Sequence, residues 1–137
     1  KVPVFGKKTS GGARKWVRQI HHNSIVSCFD LLRQRGFSLY VTRLDDTATS
    51  LYDINLTRPC AIVFGNEHAG VSEEAAEHAD ASVMIPQVGM VQSLNISVAC
   101  AVSVFEASRQ RRVSGMYDVS QSDLTQREVM VRDWLQR

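Results

Sequence analysis

The sequence predicts an α/β domain built on a mostly parallel sheet with helices on both faces. Three short apolar runs are typical of strands that are covered on both sides, and they lie at residues 37–44, 60–64 and 82–85. Helical patterns alternate with these runs, as in a single layered α/β unit. The 137 residues, 44% of them hydrophobic, are enough for one globular domain with a proper core.

The first helix is expected at residues 24–35, directly before the first strand. Its apolar side chains recur at helical spacing on one face, and they are those of Ile25, Cys28, Phe29 and Leu32. Gly36 follows, at the position where a glycine commonly ends a helix. We therefore expect an amphipathic helix that packs on the sheet.

A short helix is expected between the last two strands. Ser72 is a favourable N-cap residue, and Glu73 and Glu74 fall in the first turn, where the helix dipole favours negative charge.

Two further helices are expected near the end of the chain. Residues 94–111 are apolar on several faces, and such a helix must be buried under the sheet or against another subunit. Residues 125–137 open with Thr125 and Glu128, the pattern of a capping box. We expect this last helix to dock on the core or on a partner.

Composition restricts the class of protein. The net charge is only +2, although Arg109, Arg111 and Arg112 form a local cluster. Three cysteines in apolar settings, without paired spacing, suit reduced core thiols, and the four histidines lack metal-ligand spacing, so no metal is expected. No apolar run reaches the roughly 18 residues of a membrane span. We expect a soluble cytoplasmic protein, or an organellar one if a transit peptide has been removed.

Two polar segments follow strands, and each has a plain structural interpretation. Residues 64–70, FGNEHAG, place Glu67 between Gly65 and Gly70, and this acid either points into a crevice at the strand end or is solvated in an ordinary turn. Residues 93–95, SLN, precede the long helix, so Ser93 and Asn95 either line a site or cap that helix. The stretch between the last strand and SLN also contains Gly89. Taken together, the two glycine-bearing loops favour a nest of backbone donors and acceptors for a flat, polar ligand.

These segments carry a family resemblance. Residues 85–117, with FGNEHAGVS before them and LTRP at residues 56–59, resemble the SpoU branch of the SPOUT RNA methyltransferases. Within that branch the chain is most similar to the TrmH group, the tRNA guanosine 2′-O-methyltransferases that act in the D-loop. The resemblance implies a C-terminal deep trefoil knot, a homodimer, a structured RNA as partner and S-adenosylmethionine as cofactor. It covers about residues 10–118, so we assign residues 1–118 to the methyltransferase domain and 119–137 to a helical extension.

The resemblance also assigns residues. It implies catalytic roles for Glu67, Ser93 and Asn95. It implies RNA binding by Arg109 and Arg111, for which the helix dipole is an alternative explanation. The cofactor-binding loops that it implies contain Thr42, Leu44, Gly65, Ile85 and Leu94.

The family's first motif, a strand and helix carrying an asparagine and the arginine that activates the ribose hydroxyl, is expected to lie before Lys1. Arg14 and Arg18 do not stand in the right context to replace that arginine. We therefore expect the 137 residues alone to bind cofactor but to transfer methyl groups poorly. Two alternatives stay open: a SpoU methyltransferase of rRNA or of another tRNA site, and a non-catalytic RNA-binding module.

Overall fold

The computed structural model describes residues 17–66, 69–90, 93–120 and 122–136. Within these ranges four strands form one sheet, and they are β1 (Ser38–Thr42), β2 (Thr49–Ser50), β3 (Cys60–Val63) and β4 (Ala81–Met84). Their order across the sheet is β2-β4-β1-β3, and all three pairings are parallel. The predicted parallel sheet is confirmed. The strand β2 was not predicted, because two residues carry no alternating pattern.

The described part of the chain also contains four helices, and they are α1 (Ile25–Gln34), α2 (Glu73–His78), α3 (Ile96–Val113) and α4 (Leu124–Leu135). The end of α1 follows the prediction. Gly36 adopts a φ of 76°, and the Phe37 N–H donates to the Leu32 carbonyl at 3.1 Å. This bond over a left-handed glycine satisfies carbonyls that the helix end would leave unpaired. The chain then enters β1 directly.

The first core lies between α1, α2 and one face of the sheet. Its fully buried members are Phe29, Leu39, Val41 and Ala75. Leu39 and Val41 are two positions apart in β1, so both side chains point to the same face. Ser72 caps α2 as predicted, because its hydroxyl accepts the Ala75 N–H at 3.3 Å.

The second core lies on the opposite face. Leu51, Leu56 and Val83 are fully buried there, and Val102 and Ala107 of α3 pack against them. Helices therefore cover both faces of the sheet, with β1 between the two cores. Each hydrophobic face is thereby removed from water, which is the main favourable term in folding.

The expectation that α3 is buried all round is wrong for the single chain. Its buried residues are Ser103 and Glu106, whereas Val104 is 61% and Phe105 77% exposed. One face of α3 packs on the sheet, and an apolar face remains at the surface. Burial against another subunit, the second of the two predicted settings, stays a prediction.

The predicted capping box of the last helix is wrong. α4 begins at Leu124, and the carboxylate of Asp123 accepts the Gln126 N–H at 2.7 Å. Asp is as favourable an N-cap as Thr, and it stands two residues earlier. No residue of α4 is buried. Docking of α4 on the core is therefore not found, and docking on a partner stays a prediction.

Candidate active site

The carboxyl ends of β1, β3 and β4 open into one cavity of about 590 Å³. Parallel strands all end at the same edge of a sheet, and open α/β sheets bind their ligands in the crevice beyond that edge. The volume falls in the range of small-molecule sites. Three segments line this cavity: the residues after β1, the loop after β3, and the stretch that leads from β4 into α3.

The segment after β1 contributes Thr42 and Leu44 to the cavity wall. The Thr42 hydroxyl donates to the Val63 carbonyl at 3.1 Å, which ties the ends of β1 and β3 together. Leu44 is exposed. An apolar side chain at the mouth of a polar cavity can pack against the flat face of a ligand.

Arg43 bridges two elements at the rim of the cavity. Its guanidinium lies 2.9 Å from the Glu73 carboxylate on α2 and 3.4 Å from that of Asp45. The hydrogen bond with Glu73 raises the pKa of Arg43 above its ordinary value. The pKa of Asp45 is lowered, chiefly because its carboxylate accepts the Thr47 hydroxyl. The two carboxylates thus hold the guanidinium of Arg43, which is always charged in proteins, in place beside the site.

The loop after β3 is closed by a pair of backbone bonds. The Asn66 N–H donates to the Gly70 carbonyl and the Gly70 N–H to the Asn66 carbonyl, both at 2.8 Å. Gly70 adopts a φ of 66°, a conformation that favours glycine. Gly65 and Gly70 both line the cavity. Glu67, predicted to be catalytic, lies outside the described residues.

The segment from β4 to α3 contributes Ile85, Ser93, Leu94 and Asn95. Asn95 is the N-cap of α3, and its side-chain oxygen accepts the Ser97 N–H at 2.9 Å. The capping interpretation is confirmed for Asn95, but this bond uses only the oxygen of the amide. Asn95 therefore caps the helix and lines the cavity at the same time.

The structure brings together every described residue that the resemblance assigned to cofactor binding or catalysis. These are Thr42, Leu44, Gly65, Ile85, Ser93, Leu94 and Asn95, and all of them line the cavity. Their individual roles stay predictions. Sequence reasoning missed Arg43 and Glu73 at the rim, although a charged residue directly after a buried strand was a usable signal.

The two predicted RNA-binding arginines lie near the other end of α3. Arg109 forms a paired bond with the buried carboxylate of Glu106, both contacts being 2.8 Å. Arg111 donates through Nε to the Leu56 carbonyl at 2.9 Å, so it also anchors a loop. Sequence reasoning missed Glu106, because an acid among arginines on a helix is usually solvated.

The cysteines agree only in part with the prediction of core thiols. Cys28 and Cys60 are half-buried, and burial raises the pKa of the Cys60 thiol above its ordinary value. Cys100 is exposed on α3, so its assignment to the core is wrong for the single chain. Across the described ranges, His, Cys, Asp and Glu form no group of three or more that could hold a metal ion. None of the helices described combines the length and apolarity needed to cross a membrane.

The fold and the cavity together place the chain among α/β proteins that carry a small-molecule site beyond the carboxyl edge of a parallel sheet. Residues 5–105 match the model of the SpoU rRNA Methylase family. The chain belongs to this family.

Relatives extend over nearly the whole chain. A tRNA (guanosine(18)-2′-O)-methyltransferase of Thermus thermophilus is 45% identical over 136 residues, which are 99% of this chain and 70% of that protein. The crystal structure of the TrmH/SpoU tRNA modifying enzyme of A. aeolicus superimposes with a TM-score of 0.90 at 31% identity, covering 99% of this chain and 70% of that one.

A third comparison concerns a cofactor complex. The SpoU methyltransferase AviRb of Streptomyces viridochromogenes, solved with the cofactor AdoMet, superimposes with a TM-score of 0.59 at 30% identity. The match covers 67% of this chain and 36% of AviRb.

Proposed function

We propose that the chain is the cofactor-binding and catalytic domain of an S-adenosylmethionine-dependent RNA 2′-O-ribose methyltransferase whose substrate is a tRNA guanosine in the D-loop. One observation carries the proposal: the residues assigned from the two sequence motifs, far apart in the chain, line a single cavity. The 45% identical relative that methylates a tRNA guanosine supports the choice of substrate.

The residues of the cavity fit the cofactor. Apolar side chains of Leu44, Ile85 and Leu94 provide packing surface for a flat adenine. Gly65, Asn66 and Gly70 of the loop after β3 line the same cavity, and the two glycines let a ligand approach the backbone closely. S-adenosylmethionine, when bound, supplies a methyl group on a positively charged sulfur. The remaining requirements of the reaction fall on the protein's own side chains.

A ribose hydroxyl must approach the methyl group in line and lose its proton. Positioning of the two reactants supplies several kcal/mol of the barrier, and general-base help typically contributes 10²- to 10⁴-fold. Ser93 and Asn95 stand at the rigid start of α3, and their polar groups are suited to orienting the hydroxyl. We assign Glu67 to the same task from the resemblance alone.

The deep knot and the homodimer belong to the same proposal. β4 lies between β1 and β2, two strands that precede it in sequence. The chain therefore comes back to the middle of the sheet after the strands on either side of β4 have been laid down. That path is compatible with a knot in the segment that follows β4. The exposed apolar face of α3, with Val98, Val104 and Phe105, supports a second copy as its cover.

The function is tested by mass-spectrometric mapping of 2′-O-methylated nucleosides in RNA from cells that lack the full-length gene. We expect a tRNA guanosine in the D-loop to lose its methyl group, and the wild-type gene, but not an Asn95→Ala copy, to restore it. Loss of a methyl group from rRNA instead would replace the tRNA assignment. Unchanged methylation in both RNAs would contradict the proposed activity.

A further inference from the structure

The last turns of α3 contain a buried carboxylate that serves several partners. Glu106 is only 6% exposed, and its two oxygens accept from Nε and Nη2 of Arg109 at 2.8 Å each. One of these oxygens also accepts from Gln110 Nε2 at 2.9 Å. Gln110 in turn donates to the Ile54 carbonyl at 3.0 Å and accepts the Leu56 N–H at 2.8 Å. A single carboxylate thus connects an arginine, a helix and a loop.

Arg109 itself is not buried with its partner. Its side chain is 61% exposed, while that of Glu106 is nearly inaccessible. The paired bond uses two of the five N–H donors that a guanidinium carries. Glu106 fixes the edge of the guanidinium that carries Nε and Nη2. The remaining N–H groups are therefore pre-organised to donate to an acceptor on a partner.

We propose that Glu106 is a positioning residue for RNA binding, which fixes the guanidinium of Arg109 in the orientation that receives a phosphate of the substrate RNA. This inference rests on the proposed function, because it takes the acceptor to be tRNA. A long side chain that is already ordered loses less conformational freedom on binding. The buried carboxylate thereby improves RNA affinity although its own charge repels RNA.

Positioning of Arg109 and repulsion of RNA predict opposite changes in affinity when the charge of Glu106 is removed. Glu106→Gln raises the net charge of the chain by one, from +2 to +3. If only charge mattered, tRNA binding would become tighter. The amide nitrogen of a glutamine cannot accept a hydrogen bond, so the paired bond to Arg109 is lost. We expect tRNA binding to weaken about 3- to 10-fold, in line with the cost of ordering one long side chain.

Glu77→Gln is the matched control. Glu77 is exposed on α2, and the substitution makes the same change in net charge. Binding of a tRNA transcript, measured by fluorescence anisotropy on the full chain, should be unchanged or slightly tighter in this variant. Cofactor affinity and melting temperature are measured in parallel. In Glu106→Gln the cofactor affinity should stay within about 2-fold of wild type, and the melting temperature should fall by only a few degrees because a charge-assisted hydrogen bond is lost.

A double-mutant cycle separates positioning from general damage. Arg109→Lys keeps the positive charge but cannot form the paired bond. In that background Glu106→Gln should change tRNA affinity by less than about 2-fold, because the two residues act through one contact. In the free protein, the Nε–H resonance of Arg109 should be protected from exchange in wild type and lose that protection in Glu106→Gln, while the backbone amide spectrum persists.

The outcomes separate this inference from the proposed function. Tighter or unchanged tRNA binding by Glu106→Gln, or an equal loss in the wild-type and Arg109→Lys backgrounds, would overturn the positioning role while methyl transfer by the full-length protein stands. Absence of tRNA binding by the wild type would overturn it as well. If the wild type bound tRNA but deletion of the full-length gene left tRNA methylation unchanged, the proposed enzymatic activity would be wrong. The double-mutant cycle would still decide the role of Glu106.

Discussion

Gly65 lies so close to Gly70 that a Cβ added to Gly65 would stand 2.1 Å from the Gly70 carbonyl carbon. The paired bonds between Asn66 and Gly70, both 2.8 Å, draw the two ends of this turn together. Backbone atoms cannot give way as the end of a flexible side chain can. The wall of the cavity after β3 therefore closes only with glycine at position 65.

Gly65→Ala is expected to abolish S-adenosylmethionine binding, because the turn must open to make room for the alanine side chain. Gly36→Ala is the matched control, since a Cβ there meets no atom within 4 Å, Gly36 adopts a φ of 76°, and it lies outside the cavity. A left-handed conformation costs an alanine about 1–2 kcal/mol, so this control should lose stability and keep binding. Calorimetric titration and thermal unfolding measure the two effects. Wild-type cofactor affinity in Gly65→Ala would refute the role of the turn.

Asn95 combines a cap with a position in the cavity, and two substitutions separate these roles. Asn95→Ala should lower the free energy of unfolding by about 1 kcal/mol, because the Ser97 N–H loses its acceptor. Asn95→Ser preserves an N-cap of similar quality and should be nearly as stable as wild type. We expect both variants of the full-length protein to lose methyl transfer to tRNA. If Asn95→Ser transferred methyl groups at the wild-type rate, Asn95 would be a cap alone.

The Thr42 hydroxyl should matter for both stability and ligand affinity. Thr42→Val removes the 3.1 Å bond to the Val63 carbonyl between the ends of β1 and β3. We expect a loss of about 0.5–1.5 kcal/mol in the free energy of unfolding, together with weaker cofactor binding.

Thr57→Val is the control for this substitution, because its hydroxyl bonds Asn55 at 2.6 Å in the loop before β3, away from the cavity. It should alter stability without altering cofactor affinity. An equal change of affinity in both variants would show that the Thr42 bond has no specific effect on the cavity.

Acid should weaken the hydrogen bonds that the Glu106 carboxylate accepts near the end of α3. Hydrogen bonds from Arg109, and then from Gln110, lower the pKa of Glu106 below its ordinary value of 4.5. The folded pKa lies below the unfolded one, so this contribution to stability is complete above pH 4.5 and is lost as the pH falls through the folded pKa. Urea unfolding of wild type and Glu106→Gln should give curves that converge with acidification. A difference that stays constant across this range would contradict the linkage.

Much of the fold follows from local patterns in the sequence. The strands β1, β3 and β4 are short apolar runs, and Gly36 and Ser72 bound helices as their chemistry predicts. The two-residue β2 is defined only by its partner β4, so no local pattern indicated it. Tertiary neighbours decide such pairings.

The site was predictable where it rests on loop chemistry and hidden where it rests on tertiary contacts. Glycines and short polar residues after strands pointed to the cavity that Gly65, Ser93 and Asn95 line. The role of Gln110 depends on carbonyl and N–H groups more than 50 positions away in the chain, at Ile54 and Leu56, and Gln110 in turn donates to Glu106. Such contacts leave no periodic trace in the sequence.

The most direct test of the cofactor site is a titration of the isotope-labelled chain with S-adenosylmethionine, followed by the amide resonances in nuclear magnetic resonance spectra. We predict saturable shifts at residues 42–44, 64–71, 85 and 93–96, with little change in α1 and α4. Shifts confined to surfaces away from the carboxyl edge of the sheet, or no saturable shifts at all, would contradict the assignment of this cavity.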